Sequence, residues 1–189
     1  MEKIYKILKL AIFILAFAVV LTAAGVLYGR LGRTVEQPAP VASTGPAAET
    51  RPQAPDFTFY DREGNPLALS DFQGKPVILN FWASWCGPCK SEMPDFQAAY
   101  EQYGEEIQFL LVDLTGGRET VEAASGYVEA QGYTFPIYFD LDSAGAAAYG
   151  VNAIPATYFL DGEGKLVTYS RTMLTESTLQ KGIDQLLGE

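Results

Sequence analysis

Cys86 and Cys89 stand three positions apart in Trp85-Cys86-Gly87-Pro88-Cys89 and are the only cysteines of this 189-residue chain. The residues on either side describe a junction between a strand and a helix. Pro76 to Ala83 is apolar, β-branched and aromatic over the length of one buried strand, and Lys90 to Tyr103 reads as a helix. Cysteines at this spacing and in this place can close a small disulfide ring, with the first sulfur over the helix N-terminus. Partial positive charge and free backbone N–H groups there stabilise a thiolate. An ordinary thiol, with a pKa of about 8.5, is only a few per cent thiolate at neutral pH, so lowering that pKa sharply raises the reactive fraction. The chemistry implied is dithiol–disulfide exchange, with the Cys86–Cys89 disulfide as the redox group and no separate cofactor.

Other readings of the pair are weaker. A zinc site needs further Cys or His ligands, and the chain has no other cysteine and no histidine, so no metal site is expected. A purely structural disulfide across so short a loop constrains the unfolded chain little. Two buried thiols meeting by chance would not account for the Gly-Pro between them. A peroxiredoxin is disfavoured because both cysteines fall within one CxxC.

The segment Asn80-Phe81-Trp82-Ala83-Ser84-Trp85-Cys86-Gly87-Pro88-Cys89-Lys90 resembles the active-site segment of thioredoxin-fold proteins. Ser91-Glu92-Met93-Pro94 after it is similar to the membrane-tethered TlpA/ResA branch of thiol-disulfide oxidoreductases. Val151 to Asp161 resembles the stretch that carries the cis-proline of that fold, followed by a hairpin at Gly162-Glu163-Gly164-Lys165. The resemblance runs from about Ala54 to the C-terminus. It implies an α/β thioredoxin-like fold: a central mixed β-sheet flanked by helices, with an N-terminal β-hairpin and a helix–strand insertion between Arg118 and Phe139.

Roles follow from position and from the resemblance together. Cys86, nearest the helix start and expected to be the more exposed, is the attacking thiol. Cys89, one turn in, is the thiol that resolves the mixed disulfide. Gly87 permits the tight approach to the helix, and Pro88 suits a first turn where its missing N–H loses nothing. Trp85 is expected either to offer a flat apolar surface to a partner or simply to pack in the core. The resemblance places Pro155 opposite the cysteines with a cis Ile154–Pro155 bond, which would turn the Ile154 backbone toward a substrate strand. Asn80 departs from plain thioredoxin, which has a buried carboxylate at the matching position. Glu92 is then the nearest carboxylate, and the TlpA/ResA branch commonly has an acid there. It is expected either to exchange protons with Cys89 or to be a solvated helix residue, and its replacement by Gln is expected to leave stability nearly unchanged. With no histidine, no imidazole base is available.

The elements that must hold these residues can be read along the chain. Phe57–Tyr60 and Leu67–Leu69 form a hairpin around Glu63-Gly64-Asn65-Pro66, and Ser70 caps a short turn at Asp71-Phe72-Gln73. Pro94 falls within the active-site helix and is expected to kink it. Ile107–Val112 and Phe135–Phe139 are strands, Arg118–Gln131 and Ser143–Tyr149 helices. Ala156–Leu160 and Leu166–Tyr169 make a second hairpin. Thr175 starts a last helix with Leu179, Ile183, Leu186 and Leu187 on one face.

The N-terminal part carries an address. Lys3, Lys6 and Lys9 precede an uncharged apolar run from Leu10 to Tyr28, about the length that crosses a bilayer as a helix. Residues 1–30 are read as a cytoplasmic stub and signal anchor, with cleavage near Thr22-Ala23-Ala24 as the competing reading. Residues 31–54, rich in Pro and Ala, form an extended tether. Residues 55–189 make the thioredoxin-like domain, of a size suited to one core. This predicts a single-pass protein of a bacterial cell membrane with its catalytic domain outside the cytoplasm. Residues 52–189 hold 7 Lys+Arg against 20 Asp+Glu, which disfavours nucleic acid and modestly favours basic partners.

The reading that results is a protein-disulfide reductase acting on disulfide-containing exported proteins, such as apocytochrome c. The family association implies a membrane thiol carrier of the CcdA/DsbD kind as its electron source. The alternatives are a thiol oxidase that donates its disulfide, and a tethered binding or holdase module whose dithiol is only a switch.

Overall fold

The computed structural model describes residues 51–188. The expected anchor and all of the tether up to residue 50 lie outside the described residues. Among the described residues no helix is long and apolar enough to cross a membrane.

Seven strands form one mixed sheet in the order β2-β1-β5-β4-β3-β6-β7. In chain order they are β1 (Thr58–Tyr60), β2 (Pro66–Ala68), β3 (Val77–Trp82), β4 (Gln108–Asp113), β5 (Ile137–Phe139), β6 (Ala156–Leu160) and β7 (Leu166–Ser170). Four helices flank it: α1 (Gly87–Tyr103), α2 (Val121–Gln131), α3 (Ala144–Ala148) and α4 (Glu176–Leu187). This is the thioredoxin-like α/β architecture that the motifs imply. β3, β4 and β5 run parallel, while β6 and β7 continue the sheet antiparallel.

β3 is buried along its whole length because helices and loops cover both faces. Alternation along the strand sends Ile78 and Trp82 into the cluster with Met93 and Phe96 of α1. It sends Val77, Leu79 and Phe81 to the other face, against Phe57, Tyr149 and Tyr158. Asn80 has the parity of Ile78 and Trp82, so a polar side chain lies on the face that α1 covers. The end of β3 delivers the chain to the cysteines, and the start of β6 delivers Pro155 beside them.

The expected insertion is α2 with β5. β5 sits between β4 and β1, so the N-terminal hairpin joins the sheet through it, with Tyr60 opposite Phe139. The hairpin turn is held by Asp61, whose carboxylate accepts from Asn65 Nδ2 and from the backbone N–H groups of Glu63 and Asn65. Asp161 serves the β6–β7 turn in the same way, accepting from Glu163 and Lys165. Residues 51–54, which composition puts in the tether, run beside that second turn. Ala54 N–H donates to Gly164 O, Leu166 N–H to Pro52 O, and Arg51 pairs with Asp161 at 3.5 Å.

Three local expectations are corrected. Ser70 does not cap the short turn, which spans Leu69–Phe72 as a 3-10 helix; Asp71 does the capping by accepting from Ala68 N–H at 2.8 Å. The active-site helix begins at Gly87, not Lys90, because Pro88 and the Cys86 sulfur satisfy its first turn. α2 begins at Val121, capped by Thr120 Oγ1, so Arg118 and Glu119 belong to a loop. α1 runs through Pro94 as one element.

Candidate active site

Cys86 is the N-cap of α1. Its backbone is extended, and its sulfur accepts a hydrogen bond from Cys89 N–H at 3.2 Å. The two sulfurs are bonded to each other, with Cα atoms 5.2 Å apart. Cys89, in the first turn of α1, is fully buried, and Cys86 is the more exposed residue of the pair at 4%. On reduction, the N–H that now meets the Cys86 sulfur and the unpaired donors of the helix start would favour a thiolate there.

The opposite wall comes from the loop before β6. The Ile154–Pro155 bond is cis, as the resemblance implies, and Ile154 O lies 3.8 Å from Cys86 Sγ. Beside it an open apolar recess of about 370 Å³ is lined by Trp85, Leu114 and residues 151–154. Trp85 is 46% exposed, which removes core packing as its role. The Arg118 guanidinium lies over its ring, 4.0 Å from the centroid.

Beneath the dithiol, Glu92 follows Cys89 by three residues and therefore shares its helix face. It is fully buried, which overturns the reading of a solvated helix glutamate. Asn80 Nδ2 donates to one carboxylate oxygen at 3.0 Å, and Leu174 N–H donates to the other at 2.8 Å. Asn80 Nδ2 also donates to Thr157 Oγ1 at 3.0 Å. Burial raises the Glu92 carboxyl from 4.5 to about 7, with the two hydrogen bonds opposing and nearby Asp95 adding to the rise. The group is therefore poised to exchange a proton at neutral pH, and its replacement cannot leave stability indifferent to pH. Asn80 is thus not an isolated departure from thioredoxin. The amide orients a carboxylate supplied by the helix in place of one on the strand.

The loop between β4 and α2 adds residues that pattern reading missed. Glu119 is buried and accepts from Ser84 N–H at 3.1 Å and from Ser84 Oγ at 3.0 Å, fixing the backbone just before Trp85. Asp113, at the end of β4, is buried with Thr115 Oγ1 donating to it at 2.9 Å. Burial, then the neighbouring Glu119 charge, raises the Asp113 carboxyl, countered in part by the Thr115 bond. Thr120 as an N-cap was the one available signal that Arg118 and Glu119 precede the helix. Among the described residues no group of three or more His, Cys, Asp or Glu side chains comes together to hold a metal ion.

Residues 50–169 match the family model described as AhpC/TSA family. The chain is 34% identical to thiol-disulfide oxidoreductase ResA of Geobacillus thermodenitrificans over 134 residues, covering 70% of this chain and 75% of that one. The chain belongs to the AhpC/TSA family, in its TlpA/ResA-type branch. It is also similar to the thioredoxin-like protein YneN of Bacillus subtilis, 32% identical across 70% of this chain and 77% of the relative. Among solved structures it resembles one described as a putative thiol:disulfide interchange protein DsbE from Chlorobium tepidum. That match has a TM-score of 0.65 and 28% identity, over 73% of this chain and 97% of the other. Membership and the paired cysteines make the chain a thiol-disulfide oxidoreductase acting through its CxxC, with disulfide-containing substrates.

Proposed function

We propose that this oxidoreductase works as a reductase of disulfides in exported proteins, with apocytochrome c as one candidate substrate. A membrane anchor would hold it outside the cytoplasm, and a membrane dithiol carrier of the CcdA/DsbD type would supply electrons. The observation that carries the direction is the buried Glu92 carboxylate on the Cys89 face of α1. A negative charge there disfavours a neighbouring thiolate and so favours the disulfide form, which makes the dithiol a better electron donor. The Gly-Pro between the cysteines, shared with thioredoxin, points the same way.

The Cys86 thiolate attacks one sulfur of the partner disulfide, forming a mixed disulfide and releasing the other partner sulfur as a thiolate. Glu92 takes the proton of Cys89. The Cys89 thiolate then attacks Cys86 Sγ, closing the Cys86–Cys89 disulfide and releasing the second partner thiolate. Two electrons pass from the cysteine pair to the partner, whose thiolates take up two protons. A carrier dithiol restores the pair by the same exchange in reverse. Ile154 and the recess beside Trp85 would hold the partner strand, and Gly87 and Pro88 shape the turn that presents Cys86.

Redox titration against a dithiol buffer tests the direction. A potential near that of thioredoxin, about −270 mV, supports the reductase, and one near that of DsbA, about −120 mV, overturns it. Cys89→Ser is expected to trap partners as stable mixed disulfides on Cys86, and Cys86→Ser to abolish exchange. Adducts accumulating on Cys89 in peptide mass spectra would reverse the two roles.

A further inference from the structure

We infer that Arg118, resting on Trp85, makes an anion-reading subsite beside the attacking cysteine, so that the favoured partner segment carries a carboxylate side chain next to its reacting cysteine. The inference rests on the exchange chemistry of the Cys86–Cys89 pair but not on its direction.

Arg118 is exposed, in a loop, on a domain whose charge is heavily negative. Four of the eight cations among the described residues pair with oxygen: Arg51 with Asp161, Arg62 with Glu129, Lys165 with Glu163, and Lys75 with the Glu105 carbonyl. Lys90 and Arg171 lie over tyrosine rings at 5.7 Å, farther than Arg118 lies from Trp85. Arg118 lies over the indole of Trp85, its guanidinium carbon 4.0 Å from the ring centroid, with no carboxylate partner among the described residues. A guanidinium held over a ring face still has N–H groups to offer, and these can bind a carboxylate in two-point fashion.

The placement is built. Glu119 pins Ser84 through both carboxylate oxygens, so the loop that bears Arg118 and the segment that bears Trp85 are tied together one residue away. Trp85 adjoins Cys86 in the chain and lines the apolar recess with Leu114 and Ile154. An extended peptide whose cysteine reaches Cys86 and whose neighbouring residue enters this recess runs along Trp85, the ring over which Arg118 lies. Its flanking side chains then fall within reach of the guanidinium. The occupant that fits is a strand with an apolar residue for the recess and an Asp or Glu for the cation.

The inference opposes what net charge alone predicts. An acidic domain attracts a Lys-flanked peptide over a Gln-flanked one, and a Glu-flanked one least. Selection by Arg118 reverses that order.

The test uses the full chain and three peptide disulfides that differ only in the residues flanking cysteine: Glu, Gln or Lys. Exchange rates are measured by stopped flow at low and high salt. The Glu peptide is expected to react about three- to fivefold faster than the Gln peptide at low salt, as befits an accessible ion pair, with the gap closing in high salt. Arg118→Gln is expected to erase the Glu-over-Gln ratio, and Arg118→Glu to place the Lys peptide first and the Glu peptide last, the reverse of the parent. A Glu-to-Gln ratio that is the same in parent and Arg118→Gln overturns the inference, even if all three rates fall together, since that pattern means Arg118 only supports Trp85. Running the peptides as dithiols against the oxidised protein gives the same ranking for an oxidase, so failure of the reductase reading and failure of the subsite are read separately.

Discussion

Replacing Glu92 by Gln in the oxidised protein isolates one buried proton, because the bonded cysteines do not titrate. In the fold the carboxyl ionises at about 7 instead of 4.5. The sign follows directly. Below 4.5 both folded and unfolded chains keep the proton and nothing is lost. Between 4.5 and about 7 the unfolded chain releases it first, so stability falls by about 1.36 kcal/mol per pH unit. Above about 7 both states are ionised and the loss levels off at ~3 kcal/mol. Gln carries no proton to lose. With the Asn80 amide turned over, the new amide can donate to Asn80 Oδ1, which is now buried without a partner, while its oxygen still accepts from Leu174 N–H. The offset at low pH is therefore about 1 kcal/mol or less. Urea unfolding of parent and variant at pH 4.5, 6 and 8 cancels every shared carboxylate in the difference. Glu92→Gln is expected to match the parent at pH 4.5 and exceed it by ~2–3 kcal/mol at pH 8. A difference that stays constant within about 0.5 kcal/mol from pH 4.5 to 8 refutes the buried-proton argument. In the reduced protein the same change is expected to lower the apparent thiol pKa, read from alkylation rate against pH, and to slow exchange with protein disulfides.

Asn80→Asp would set a second carboxylate where Nδ2 now meets Glu92 at 3.0 Å. The variant is expected to lose about 2 kcal/mol or more at pH 8 and much less at pH 5, measured by urea unfolding. Asp140 is buried and accepts from Gly145 N–H at 3.1 Å and Ala146 N–H at 2.8 Å at the start of α3. Asp140→Ala is expected to cost about 1–2 kcal/mol, visible as a lower urea midpoint. A methyl on Gly182 in α4 would overlap the Phe159 ring of β6. Gly182→Ala should therefore cost about 1–3 kcal/mol, and an unchanged melting temperature would show that the ring can move aside.

What could be read in the sequence was what depends on near neighbours. The apolar run of β3, the helix after it and the spacing of Cys86 and Cys89 are all local signals, and so the dithiol and its supporting elements were legible. The cis bond at Pro155 was legible only by resemblance. Glu92 was ambiguous because its neighbours along α1, Ser91 and Met93, say nothing of what the helix lies on. Its burial depends on Asn80 and on Leu174, the latter 82 residues away. Arg118 and Glu119 read as the first turn of a helix because they run without a break into the helical stretch that follows, and an acid such as Glu119 suits a helix start. Gly116 and Gly117, both at positive φ, instead let the chain turn back and bring Glu119 to Ser84.

The position of β5 between β4 and β1 also orders the assembly of the domain. The N-terminal hairpin is made first in synthesis, yet its place in the sheet does not exist until β5 has formed. Its fastening, by Tyr60 against Phe139 and by the Tyr60 hydroxyl donating at 2.6 Å to Asp142, 82 residues on, closes a long loop. Such a closure is slow relative to the contacts among β3, α1 and β4, which join shorter stretches of chain. The β3–α1–β4 unit that carries Cys86 and Cys89 can thus consolidate while β1 still waits, and until β5 arrives β4 presents an open edge to any other strand that finds it.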